Sequence, residues 1–162
     1  MDINALDDKL QADDGMYLTV LGISAEGADS GQVGRGNKVN GVISLNRPQS
    51  AEAHAGKNPV SHVGKIYSYF SSYVAEQIVV KVNGIREVYV QICSQIGRPL
   101  DAPLTTSLKL ILEPGISLRD VKQAAESVVA DELTRMDEFT MRLVTEDFYR
   151  SWEDRLRCEC CA

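Results

Sequence analysis

Between Ser24 and Lys65 the sequence gathers side chains suited to holding an anion: Asp29, Arg35, Lys38, Lys57 and His62, with Gly27, Gly31, Gly34, Gly36 and Gly41 among them. Glycine lacks a Cβ and reaches positive φ, so such a backbone bends sharply and turns bare N–H groups towards whatever lies close by. A guanidinium such as that of Arg35 grips two phosphate oxygens at once, and an ammonium such as that of Lys57 supplies a compact point charge. Taken alone, the stretch fits equally a long surface loop with ordinary turn chemistry, and lone surface cations are usually solvated. His62 has two readings of its own: phosphate contact through a ring nitrogen, or a satisfied histidine at a helix start.

The elements that must position these residues follow from hydrophobic period. Residues 16–23, MYLTVLGI, alternate as a strand leading into the Gly-rich segment. From Pro59 the pattern turns helical, with Val63, Ile66, Tyr67, Phe70, Tyr73, Val74 and Ile78 at spacings of three and four, and Asn83-Gly84 closes it. Strands are predicted over 86–93 and 104–112, which make a natural antiparallel pair, although the connector 94–103 is too long for a tight hairpin. Ser117, with Asp120 three residues on, opens a second helix whose stripe is Leu118, Val121, Ala125, Val128 and Val129. Residues 137–157 read as one or two solvent-facing helices rich in both charge signs. The expected fold is α+β: a small antiparallel or mixed sheet with helices packed on one face and a Gly-rich loop near the N-terminus. Its divisions are an extension over 1–15, a strand and Gly-rich segment over 16–60, an α+β unit over 61–145 and a helical or disordered tail over 146–162.

Composition narrows the function. With 162 residues, 44% hydrophobic and 25% charged, the chain is long enough for one core, and no disulfide is needed. A net charge of −6 argues against a nucleic-acid partner, which is bound by neutralising many phosphates. No apolar run approaches the roughly 20 residues of a membrane span, and the start lacks a signal peptide's basic and apolar regions, so a cytoplasmic address is expected. Cys158, Cys160 and Cys161 crowd the end without the spacing of a zinc knuckle, and no metal site is assigned to the chain. Cys93 falls within a strand pattern and reads as a small buried or half-buried apolar group.

Residue order carries the reading further. D-S-G-Q-V-G-R (Asp29 to Arg35) resembles the D-x-G-x-x-G-R segment of S-adenosylmethionine synthetases, also called methionine adenosyltransferases, and V-G-R-G-N-K-V-N-G (Val33 to Gly41) is similar to the archaeal-type branch. N-R-P-x-S (Asn46 to Ser50), A-G-K-N-P-V-S-H-V-G-K-I-Y (Ala55 to Tyr67) and V-Y-V-Q-I-C-S-Q-I-G-R-P (Val88 to Pro99) fall in the family's order and spacing. The resemblance covers about residues 16–145 and the C-terminal portion of the family only; family members run to more than twice this length.

The resemblance implies a definite chemistry. Methionine sulfur attacks the ribose 5′ carbon of ATP, tripolyphosphate leaves whole, and the same site splits it into pyrophosphate and phosphate. Sulfur is already a good neutral nucleophile, so catalysis rests on positioning and on fixed cations around a leaving group whose charge grows. By resemblance, Asp29 belongs to the nucleoside and methionine end, Arg35 and Lys57 are the catalytic cations on tripolyphosphate, and Ile96 lines the adenine side. Gly34, Lys38 and His62 complete the implied substrate contacts. Lys38 departs from the bacterial and eukaryotic pattern, in which a lysine directly follows the arginine, and Lys65 lies near the expected phosphates. Mg2+, with K+ in many members, is implied as cofactor, its ligands mostly on segments preceding this part. A homodimer or higher oligomer with a site between subunits is implied too. The chain is therefore expected to be inactive alone and to need the missing N-terminal part; the alternative is a non-catalytic phosphate-binding or assembly subunit that pairs with a full-length enzyme.

Overall fold

The computed structural model describes residues 8–16, 39, 44–50, 52, 54, 57–95 and 97–145. After a 3-10 helix at Lys9–Gly15, the regular elements run α1 (Val63–Lys81), β1 (Ile85–Cys93), β2 (Thr105–Leu112), α2 (Leu118–Thr134) and α3 (Met136–Val144). The architecture is α+β, and β1 and β2 form an antiparallel two-stranded sheet. Of the strand expected over 16–23, Met16 closes the 3-10 helix and residues 17–23 lie outside the described residues, as does the tail from 146.

Helix α1 is the packing centre, touching β1, α2 and α3. Its sequence spacing explains this. Ile66, Phe70, Val74 and Ile78 recur every four residues and are fully buried, while Tyr67 and Tyr69 widen the stripe. Phe70 meets Phe139 of α3 edge to face at 5.1 Å between ring centres. The helix stops at Val82, and Gly84 follows at φ +87°, where a Cβ would come within 2.9 Å of Ile116 Cγ1. Glycine is needed there on both counts, conformation and space.

In the sheet, Val88 faces Leu110, Val90 faces Leu108 and Ile92 faces Thr106, so period two puts these apolar residues on the core side. A register shift between Ile85 and Glu87 interrupts the ladder near its start. Cys93 is exposed, contrary to expectation, because it lies one residue past Ile92 and so turns to the opposite face with Gln91. The long connector is held from α1: the Tyr67 hydroxyl donates to Leu100 O at 2.9 Å. Burial raises the Tyr67 hydroxyl's pKa, and Asp101 and Cys93 add to the shift, which keeps it a donor.

Two expectations about the helices need correction. Leu118 is 56% exposed, since it lies in the first turn of α2, before the covered part of the stripe at Val121, Ala125, Val128 and Val129. The stretch from 137 is not wholly solvent-facing, because α3 buries Met136, Phe139 and Leu143 at spacings of three and four. The same stripe of α2 carries Glu132, only 3% exposed, whose Oε1 accepts from Lys81 Nζ at 2.8 Å and Arg135 Nη2 at 2.7 Å. Two cations satisfy the buried carboxylate and tie the end of α2 to the end of α1.

Deleting the Phe70 ring should cost about 3–5 kcal/mol through lost burial and a cavity, so Phe70→Ala is expected to lower the urea midpoint sharply at unchanged slope. A second prediction concerns acid. Hydrogen bonds from the Ser117 hydroxyl and backbone N–H hold the Asp120 carboxyl below its usual range. A depressed folded pKa adds stability above the unfolded value and loses it as pH falls through the folded one. Asp120→Asn should therefore flatten the decline in stability below about pH 4. Urea titrations at several pH values check this.

Candidate functional site

The start of α1 is built by a short run of local hydrogen bonds. Asn58 Oδ1 accepts from the N–H groups of Val60 and Ser61 at 2.8 and 3.2 Å, and Asn58 O accepts from His62 N–H at 3.2 Å. This Asn-Pro turn delivers His62 as the N-cap, where its Nδ1 accepts from Lys65 N–H at 3.1 Å. The side chain of His62 thereby serves helix α1 directly. One nitrogen is engaged in the cap.

Lys57 is held from both sides of its peptide. Its N–H donates to His54 O at 3.3 Å, and its carbonyl accepts from Lys65 Nζ at 2.8 Å. Lys65 is 6% exposed, so a buried ammonium fixes the Lys57 backbone and leaves the Lys57 side chain to reach outward. That side chain is 37% exposed, and its Nζ pairs with Glu52 Oε1 at 2.5 Å. His54, also buried, stands edge-on to Tyr69 at 4.8 Å. The Glu52 carboxylate rests against the first turn of α1: a Cβ on Gly64 would lie 2.6 Å from Glu52 Oε2.

A cleft of about 1010 Å3 opens beside this corner. Glu52, His54 and Gly64 line it with Ser68, Ser71 and Ser72 of α1, and residues 44–50 and 88–92 form other walls. The serines bury their hydroxyls in the helix backbone: Ser68 Oγ donates to Gly64 O at 2.7 Å and Ser72 Oγ to Ser68 O at 3.2 Å. Near the cleft, Arg47 pairs with Glu87 Oε2 at 3.2 Å and lies over the Tyr89 ring at 5.8 Å, which fixes the segment carrying Asn46-Arg47-Pro48 to the sheet.

Of the residues singled out from sequence, Lys57 and His62 are brought to one place, the approach to α1. Asp29, Gly34, Arg35, Lys38 and Ile96 lie outside the described residues. Among the described residues no group of three or more His, Cys, Asp or Glu side chains is placed to hold a metal ion. The corner at Lys57 does not fit a divalent cation either, since its carboxylate already neutralises an ammonium. Nor, among the described residues, is any helix long and apolar enough to cross a membrane. Glu52 is the residue that sequence reasoning missed. It sits in an aperiodic stretch five positions before Lys57, and only the fold brings it onto Gly64.

The sequence model of S-adenosylmethionine synthetase (AdoMet synthetase) matches residues 1–147. The chain belongs to this family. It is 43% identical over 129 residues to the S-adenosylmethionine synthase of Methanoregula boonei, covering 80% of this chain and 32% of that protein. The corresponding enzyme of Methanobrevibacter smithii is 48% identical over 128 residues, 78% of this chain and 32% of the relative. That of Thermococcus onnurineus is 47% identical over 134 residues, with 81% and 32% covered. These relatives are archaeal, which agrees with the archaeal-type pattern at Val33 to Gly41. The chain spans about a third of their length.

Because Lys65 fixes the Lys57 carbonyl from a buried position, Lys65→Met is expected to cost about 1–3 kcal/mol of unfolding free energy. The Lys57 amide should exchange faster with solvent, with little change at the Phe70 end of α1. Hydrogen exchange read by NMR or mass spectrometry checks both.

Proposed function

We propose that this chain supplies the tripolyphosphate-facing part of a methionine adenosyltransferase, which forms S-adenosylmethionine from ATP and L-methionine and releases pyrophosphate and phosphate. The observation that carries the reading is the family's K-N-P-V-S-H segment (Lys57 to His62) folded into the approach to α1, with the Lys57 backbone pinned and its side chain partly exposed. Methionine sulfur needs no general base. The barrier lies in the departing tripolyphosphate, whose charge is met best by cations already in place. Lys57 meets that requirement as a point charge, and Arg35 is assigned the bidentate contact.

The remaining two-thirds of such an enzyme would hold the magnesium ligands and the other catalytic groups, so the 162-residue chain by itself is assigned no turnover. Asp29 is placed at the nucleoside and methionine end, Ile96 against adenine, and Gly34, Lys38 and His62 around the phosphates. Two subunits would share the site. A chimera tests this reading, with the chain replacing the matching third of the Methanobrevibacter smithii enzyme. It should form S-adenosylmethionine from ATP and methionine, while the isolated chain forms none. In the chimera Arg35→Ala and Lys57→Gln should each lower kcat/KM by about two orders of magnitude, the scale of losing one preorganised donor. A folded but inactive chimera, or losses under about twofold, would sink the assignment.

A further inference from the structure

The Lys57 ammonium that is to meet a phosphate is already engaged, and its partner is Glu52 of the same chain. We propose that Glu52 is an internal anion that holds Lys57 in the unliganded state and is displaced when a polyphosphate arrives. The inference rests on the phosphate role given to Lys57 above.

Three observations carry it. The pair is close, with Nζ to Oε1 at 2.5 Å, yet both side chains keep contact with solvent, at 37% and 27% exposure. A partly exposed pair of single charges contributes little to stability, so it is exchangeable. Next, the Glu52 carboxylate rests on Gly64, with Oε2 only 2.6 Å from where a Cβ would stand, so the chain approaches the first turn of α1 with a carboxylate oxygen where no side chain intervenes. An oxygen of a phosphate has the same size and the same sign of charge. Finally, the backbone is anchored on both flanks: Glu52 N–H donates to Ser50 Oγ at 3.0 Å, and Lys57 is held through His54 O and Lys65 Nζ. The exchange requires the Glu52 side chain to rotate out of the corner it shares with the cleft.

A tripolyphosphate carries several negative charges and competes well against one carboxylate for the same ammonium. In the absence of ligand, Glu52 holds the Lys57 ammonium in the pair and lowers its attraction for stray single anions. Glu52 is thus a positioning residue that costs affinity, which distinguishes it from a residue that merely supports the loop.

The test uses the 162-residue chain and inorganic tripolyphosphate, with binding measured by calorimetry and folding checked by circular dichroism. Glu52→Gln should tighten binding at least about threefold, because the amide keeps the shape and removes the competing charge. Lys57→Gln should weaken it, and Glu126→Gln on α2, which removes an equal charge elsewhere, should leave it unchanged. If Lys57→Gln weakens binding but Glu52→Gln leaves it unchanged or weaker, the displacement is refuted while the role of Lys57 stands. If Lys57→Gln has no effect, the role of Lys57 falls and takes the displacement with it. Equal tightening by Glu126→Gln reduces the effect to net charge and also overturns the proposal. Should the wild-type chain bind too weakly to measure, Glu52→Gln must still show measurable binding, or the proposal fails. A crystal of the unaltered chain soaked in tripolyphosphate needs no variant to fold: the Lys57–Glu52 contact should open beyond 4 Å, and an intact pair beside bound phosphate would overturn the inference.

Discussion

Burial of one helix on more than one side is the constraint on which the described structure depends. A two-stranded sheet is at best marginally stable in water, and α2 and α3 each expose a polar face and need a surface for their apolar one. Helix α1 answers all of these needs, because Ile66, Phe70, Val74 and Ile78 give it a continuous fully buried seam and the flanking tyrosines extend it. The sheet lies against it through β1, and α2 and α3 pack on it as well. At its far end the buried Glu132 carboxylate, held between Lys81 and Arg135, fixes where α2 ends relative to α1.

The same helix sets the geometry of the candidate site from its other end. His62 caps it, Asn58 turns the chain into it, and Lys65 in its first turn reaches back to hold Lys57. The Lys57 backbone is therefore tied to the first turn of α1. For the proposed role of Lys57 this arrangement has a use, since a cation on a tethered backbone would not have to be reorganised as charge develops on a leaving group. The charge on Lys57 is balanced at rest by Glu52, so the site holds a matched pair instead of an exposed cation beside a cleft.

Family membership was legible in the sequence because the motifs are runs of chemically demanding residues in a fixed order, and such runs survive without knowledge of their contacts. Element type was legible as well. The period of four along α1 and the period of two along Val88, Val90 and Ile92 both follow from burying one face. Less legible were the places where a residue's surroundings come from distant parts of the chain. Cys93 looked apolar within its strand but turns away from the core, and the stretch from Asp137 looked solvent-bound because its charges hid the buried Phe139 and Leu143.

By itself the sequence determined the order of elements from α1 to α3, the end of α1 at Asn83-Gly84, and the residue types offered to an anion, because each depends on neighbours within a few positions. The start of α1 falls at Val63, four residues after the expected Pro59, because the Asn58-Pro59 turn comes first. Tertiary structure alone decided which charges face one another. Glu52 lies on Gly64 and beside Lys57, Lys65 is buried under the Lys57 carbonyl, and Glu132 is clamped by a lysine 51 residues away. Electrostatic partnership acts through space and carries no period along the chain, so only the folded backbone reveals it.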